Sequence, residues 1–224
     1  MSRSTLSKVL ASRRLPHRFL ASQLRRPTGR FGRWVMARAL NDGNAELIDA
    51  ALDALELGGS DRLLDVGFGG GRALREAARR TEGALFGVDF SPDMVLAGHR
   101  ALRDLCAAGR LSLLTADVAS LPLRDGVVDA VVTTNTIYFW PDLPAALAEL
   151  HRVLAPGGRV AFGYTGREKM ERFEAVTQHG FTTFRPEDLE GPLGEAGFSE
   201  VRTIALDGAV TEGDFVTVAR PGEG

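Results

Sequence analysis

The sequence predicts an α/β fold, a largely parallel sheet with helices on both faces that ends in an antiparallel pair of strands. Three observations carry this expectation. The run Leu63-Leu64-Asp65-Val66-Gly67-Phe68-Gly69-Gly70-Gly71 reads as a buried strand that reaches an acid, turns through glycines and starts a helix. From there to about residue 164, strand-like and helix-like runs alternate. After the last helix, two strand-like runs at 200–206 and 214–220 are joined by a short loop containing Gly208 and Gly213, which permits a hairpin and excludes a helical crossover.

Taken in order, residues 1–30 read as irregular or loosely helical, with Pro16 and Pro27 as breakers. Helices are expected at 31–40 and 45–57, the second because Leu47, Ile48, Ala51, Leu52 and Leu55 recur at helical spacing before Gly58-Gly59-Ser60. A strand at 62–67 and a helix at 71–80 flank the glycine turn. A strand at 85–90 is followed by Ser91-Pro92-Asp93, which caps a helix running to about 108. Strands follow at 111–117 and at 127–134, the latter uncharged except for Asp129. A helix at 143–154 stops at Pro156-Gly157-Gly158 before a strand at 159–164, and a helix at 186–196 stops at Gly197.

The length of 224 residues suffices for one full α/β domain. With 44% hydrophobic and 25% charged residues, a soluble globular protein is expected. No apolar run approaches the roughly 18 residues of a membrane-spanning helix. Cys106 is the single cysteine, which excludes an internal disulfide and a cysteine-rich metal site and fits a reducing, cytoplasmic location. The histidines are scattered, so no metal site is expected.

The net charge of −2 hides an asymmetry. Residues 1–41 hold ten of the 27 Lys and Arg and no acid, leaving a balance of −12 for the rest. The chain therefore divides into a basic arm with a helix (1–41) and an acidic domain (42–224). Three readings of the arm stay open: docking on its own domain, peripheral contact with an anionic membrane or acidic substrate, and a cleaved targeting sequence. Nucleic-acid binding needs more than charge, and none is expected.

The chemistry lies at the predicted strand ends. Gly67, Gly69 and Gly71 leave backbone open where side chains would block a ligand, and the following helix offers free N–H groups. Asp89, at the end of the second strand, is placed to accept from ribose hydroxyls, the competing role being a helix cap. Asp117, read as ending the third strand, can accept from an exocyclic amino group such as adenine's, with a neighbouring N–H for a ring nitrogen. Asn135 ends the fourth strand, where a crevice ligand exposes its reactive end. Tyr138, Phe139 and Trp140 follow as a hydrophobic wall or as core.

In this order the motifs resemble the class I S-adenosylmethionine-dependent methyltransferases over roughly residues 45–220. Asp65 to Gly71 matches the family's acidic-x-G-x-G-x-G motif, Asp89 its ribose acid, Asp117 its adenine acid, and Leu154-Ala155-Pro156-Gly157-Gly158 its L-x-P-G-G turn. More narrowly, the chain is similar to a small bacterial subgroup near the ubiquinone/menaquinone-type methyltransferases, through Arg26-Pro27-Thr28-Gly29, Asn41 to Asn44, Asn135 to Trp140, Arg167-Glu168-Lys169-Met170 and His179-Gly180-Phe181. The resemblance implies a Rossmann-like seven-stranded sheet of order 3-2-1-4-5-7-6 with strand seven antiparallel. It also implies S-adenosylmethionine as cofactor, held by Asp65, Gly67, Phe68, Gly69, Gly71, Asp89, Phe90, Met94, Asp117, Val118 and Asn135. The Asn/Asp-Pro-Pro-aromatic motif of adenine and glutamine methyltransferases is missing at Asn135-Thr136-Ile137-Tyr138.

The expected acceptor is a small apolar or aromatic molecule methylated on oxygen or carbon. His179, in the segment that borders the acceptor in this fold, and Tyr138, as donor or wall, are the candidate catalytic residues. His17, His99 and His151 fit mobile, surface or packing roles. Phe173, Phe181 and Phe184, with Phe31 and Trp34, either cover the acceptor or pack a short cap. Two alternatives stand beside this reading: a silent S-adenosylmethionine-binding protein, and a membrane-associated lipid or quinone methyltransferase. The sequence leaves the oligomeric state open.

Overall fold

The computed structural model describes residues 44–172 and 182–222. The basic arm and the helix expected within it, and His17, Phe31, Trp34, Phe173, His179 and Phe181, lie outside the described residues.

Helix α1 (Ala45–Leu55) precedes β1 (Leu63–Val66), α2 (Arg72–Arg80), β2 (Leu85–Asp89), α3 (Pro92–Ala101), α4 (Arg103–Ala107) and β3 (Leu111–Thr115). Then come β4 (Val128–Thr134), a 3-10 turn (Ile137–Phe139), α5 (Leu143–Val153), β5 (Leu154–Thr165), α6 (Arg167–Met170), α7 (Glu187–Glu195), β6 (Phe198–Leu206) and β7 (Asp214–Pro221). The seven strands form one sheet of order β3-β2-β1-β4-β5-β7-β6. β1 to β5 are parallel to one another, whereas β7 runs antiparallel to both β5 and β6. This is the Rossmann-like topology implied by the resemblance.

Alternation along the strands divides the core into two layers. On one face α1 and α2 bring Leu47, Leu52 and Leu74 onto Leu63, Val132 and Val216. On the other, α5 and α7 bring Leu147, Leu150 and Leu193 onto Leu64, Val131 and Phe162. Each fully buried leucine contributes roughly 1.5–3 kcal/mol. At the amino ends of the strands, Asp129 accepts from Arg62 Nε at 2.8 Å and Nη2 at 2.8 Å, which explains the lone charge in β4. The opposite, carboxyl ends are left for ligand.

Four local expectations change. The helix expected to run to about 108 breaks at Leu102, whose side chain is drawn into the core beneath Gly71, giving α3 and α4. β3 ends at Thr115, so Asp117 stands beyond the strand in a turn. β5 begins at Leu154: Val128 pairs with Leu154 and Ala130 with Arg159, and Pro156-Gly157-Gly158 bulges between them with Gly157 at φ 74°. α1 stops at Leu55 because Glu56 takes a left-handed conformation at φ 50°. Among the described residues, no helix is long and apolar enough to cross a membrane.

Candidate cofactor crevice

The glycine turn leaves β1 under backbone strain that only glycine relieves. Gly67, Gly69 and Gly71 hold φ of 73°, 50° and 76°. A Cβ at Gly67 would collide with Cγ2 of Thr136, and one at Gly71 would stand 2.7 Å from Leu102 Cδ1. The turn is shaped from β2. The Gly67 N–H donates to Val88 O at 2.7 Å, and the Gly69 N–H donates to Asp89 Oδ2 at 3.3 Å.

Asp89 also accepts from the Ser91 N–H through Oδ1 at 2.9 Å. Its carboxylate thus ties the glycine turn to the start of α3, where the Ser91 side chain makes no capping bond and Pro92 opens the first turn. Burial holds the Asp89 carboxyl above its usual range, opposed by these two N–H donors. Asp65 is 2% exposed, and its Oδ2 accepts no hydrogen bond from a described residue. Burial first, and the charge of Asp89 second, push its carboxyl up to about 8. An orphaned buried carboxylate oxygen suits a cationic ligand group, whose charge would offset its desolvation. The residues present therefore fit a cofactor with a cationic amino group.

Asp117 is exposed and closes a turn, with Oδ1 accepting from the Ala119 N–H at 3.0 Å. Val118 packs into the core, and its N–H donates to no described residue. Phe90 stands 59% exposed beside Asp89. Phe68 and Met94 are buried, the Phe68 ring filling the space that Gly87 and Gly98 leave open. The Phe68 backbone shapes the turn, its carbonyl accepting from the Gly71 N–H at 2.7 Å.

At the exit of β4, Asn135 adopts a left-handed conformation, φ 55°, with its N–H on Gly163 O at 2.8 Å. Its Oδ1 accepts from the Tyr138 hydroxyl at 2.8 Å and from the Thr165 N–H at 3.2 Å. Tyr138 is 3% exposed, and burial holds its phenol far above the ordinary range, so it stays neutral. Phe139 and Trp140 are half-buried against the same core, with Trp140 edge-on to Phe162 and Tyr138 edge-on to Phe139. Phe184 packs beside the Tyr138 ring. His99 and His151 sit on α3 and α5, and His151 packs edge-on against Phe198.

Thr133 and Thr136 escaped the sequence reading. Thr133 Oγ1 donates to Val66 O at 3.0 Å and lies in a short hydrogen bond with Thr136 Oγ1, which locks the β4 exit against the glycine turn. A hydroxyl at the buried end of a valine-rich strand was the available signal.

A family profile described as a methyltransferase domain matches residues 64–162. The chain is 35% identical over 187 residues to the ubiquinone/menaquinone biosynthesis C-methyltransferase UbiE of Citrifermentans bemidjiense, a match covering 71% of this chain and 80% of that protein. It is 32% identical over 166 residues to the demethylmenaquinone methyltransferase of Thermus thermophilus, covering 62% of this chain and 74% of that one. Among solved structures, a SAM-dependent methyltransferase from Aquifex aeolicus shares the fold, with a TM-score of 0.66 at 22% identity over 82% of this chain and 95% of that one. With the sheet order, the glycine turn after β1 and relatives of this extent, the chain is an enzyme that uses S-adenosylmethionine and belongs to the class I S-adenosylmethionine-dependent methyltransferases.

Proposed function

We propose that the enzyme methylates carbon or oxygen of a small aromatic acceptor of the quinol or phenol type. The observation that carries this reading is the exit of β4, where Phe139 and Trp140 stay partly open beside the buried rings of Tyr138 and Phe184, next to Asn135. The relatives that act in ubiquinone and menaquinone synthesis or on demethylmenaquinone support it.

Bound, the cofactor supplies a methyl group already activated on a sulfonium, so proximity and exclusion of water provide most of the acceleration. In this reading Gly67, Gly69 and Gly71 let the ligand approach backbone, and Asp65 balances its amino group. Asp89 accepts from the ribose hydroxyls, for which a carboxylate with two N–H donors keeps acceptor capacity. Asp117 takes the adenine amino group, the Val118 N–H takes a ring nitrogen, and Phe90 flanks the base. Phe68 and Met94 act through packing. Tyr138 holds Asn135, which orients the methionine portion. His179 belongs to the acceptor side of the proposal.

The test is transfer of labelled methyl from S-adenosylmethionine to a demethylated naphthoquinol presented in detergent, with protein and duplex DNA as competing acceptors. Label in the quinol ring or its oxygen supports the reading. Label in protein or DNA alone overturns it.

The charge asymmetry favours one addition, that the basic arm contacts an anionic membrane surface where such acceptors reside. Sedimentation with phosphatidylglycerol vesicles should fall with salt and on deletion of residues 1–30. Equal sedimentation of the deleted protein would remove the idea.

A further inference from the structure

One strand beyond Asn135, the carboxyl end of β5 carries an ion pair with no part in the cofactor scheme. Thr165, whose N–H binds both Asn135 Oδ1 and the Tyr138 hydroxyl, pairs across the sheet with Asp214, the first residue of β7. Lys169, on α6, places Nζ 2.9 Å from Asp214 Oδ1 and 3.0 Å from Val210 O. The two side chains are 24% and 10% exposed, so the ammonium is reachable from solvent and the carboxylate is nearly enclosed.

A tether for the loop between β6 and β7 does not require this pair. The Gly166 N–H already donates to Gly213 O at 2.8 Å, and the β5–β7 ladder runs from Thr165 to Val160. Enclosing two charges is costly, and an ion pair of this kind is weak evidence for a stabilising role. Its position is more telling. It lies at the carboxyl-end edge of the parallel strands, where this topology takes its ligands, and beside Tyr138 at the β4 exit. Asp214 is faced by Lys169 from α6, Glu46 from α1, Thr165 from β5 and Tyr138 from the 3-10 turn. Burial holds its carboxyl above the usual range, with Glu46 adding to this and Lys169 and Thr165 opposing it.

We propose that the Lys169–Asp214 pair receives the hydroxyl of the acceptor, which makes the substrate class a phenol or quinol that ionises on binding. This rests on the aromatic-acceptor reading above. The acceptor O–H bond breaks, its proton passes to a carboxylate oxygen of Asp214, and the electron pair stays on the acceptor oxygen. The Lys169 ammonium exchanges the carboxylate for the new oxyanion, so the number of charges at the pair is unchanged. Proton acceptance by a nearly enclosed carboxylate also removes a charge from a poorly solvated place.

The probe is 4-nitrophenol, whose phenolate is coloured, titrated into the full chain saturated with S-adenosylhomocysteine. The bound phenol should ionise at lower pH than the free phenol, by about one unit. Lys169→Met should abolish that shift and Lys169→Arg should restore most of it. Asp214→Asn should keep the bound phenolate but release its proton to buffer, read as a buffer-dependent heat. No binding of the probe, an unshifted ionisation, or a Lys169→Met protein that shifts it like the wild type overturns the proposal. A lowered melting temperature in Lys169→Met with the shift intact would leave only a structural latch and overturns it equally. Binding of S-adenosylhomocysteine is measured on each protein. If the wild type fails to bind it, the cofactor scheme falls and this inference with it. If it binds and the probe result is negative, this inference alone falls.

Discussion

The Tyr138 hydroxyl donates to Oδ1 of Asn135 at 2.8 Å, and Asn135 is the residue that leaves β4 in a left-handed conformation. The same oxygen accepts from the Thr165 N–H, so one side-chain amide joins the ends of β4 and β5. Tyr138→Phe keeps the ring in its packing and removes only the hydroxyl. The Thr165 N–H and Asn135 Oδ1 each lose a partner, which costs about 1–2 kcal/mol. The expected outcome is a melting temperature lower by several degrees, near-normal S-adenosylhomocysteine affinity and a reduced kcat. A variant with unchanged kcat would show that Asn135 needs no such support.

In the proposed scheme the buried Asp65 makes both stability and cofactor binding depend on pH. Its carboxyl lies at about 8 in the folded protein, above the ordinary 3.8. Between those values the folded protein keeps a proton that the unfolded chain has released. Stability of the free protein from this group is therefore full below about pH 4, falls as pH rises through 8, and is flat above. Asp65→Asn should flatten that decline in thermal melts from pH 5 to 9, with the variant the more stable at the alkaline end. Cofactor binding requires the ionised form in the proposed scheme. Affinity of the wild type should therefore rise towards pH 8 by up to roughly tenfold per unit, with proton release seen by calorimetry in two buffers. Cofactor binding without proton release would refute the assignment of Asp65.

Much of the architecture was legible because it is written locally. The run from Leu63 to Gly71 encodes a strand, a left-handed turn and the start of a helix within nine residues, and the short link around Gly208 leaves a hairpin as the only outcome. What the sequence hid depends on partners far along the chain. Leu102 sits within a run of good helix formers, and the helix breaks where its side chain is buried beneath Gly71. Asp117 reads as a strand end, but the β2–β3 ladder finishes when Asp89 pairs with Thr115. Lys169 and Asp214 are 45 positions apart, and nothing short of the β5–β7 register brings them together. Phe68 and Met94 illustrate a different limit: motif position names a residue without saying whether its side chain or its backbone faces the crevice.

If Asp89 and Asp117 hold the cofactor as proposed, they separate two ways of losing it. Asp89 braces the turn as well as facing the crevice, so Asp89→Ala removes acceptors from the Gly69 and Ser91 N–H groups and should lower both stability and affinity. Asp89→Asn keeps one acceptor oxygen and should recover part of each. Asp117→Ala removes a bond to Ala119 in an exposed turn, so it should lower stability by less than about 1 kcal/mol while weakening S-adenosylhomocysteine binding roughly tenfold. Calorimetry and denaturant melts on the three variants read both quantities. Equal losses of stability for Asp89→Ala and Asp117→Ala would contradict the bracing role.

The contact between Gly67 and Thr136 offers a test of what the glycine is for. Two penalties face Gly67→Ala: a left-handed φ of 73°, and a Cβ driven into Cγ2 of Thr136. The first costs about 1–2 kcal/mol for a residue with a side chain. The second is steric and belongs to a single methyl. Thr136→Ser removes that methyl and keeps the hydroxyl that bonds to Thr133. If both penalties operate, Gly67→Ala should be strongly destabilising, Thr136→Ser alone nearly neutral, and the double variant intermediate. The double-mutant cycle then reports a favourable coupling between the substitutions, and the residual loss measures the backbone strain. Cofactor affinity should follow the same order, because the turn that carries the Gly67 N–H onto Val88 O is the one proposed to present its backbone to the ligand. A double variant as unstable as Gly67→Ala would mean that backbone conformation alone dictates glycine at this position and that the β4 exit has room to move away.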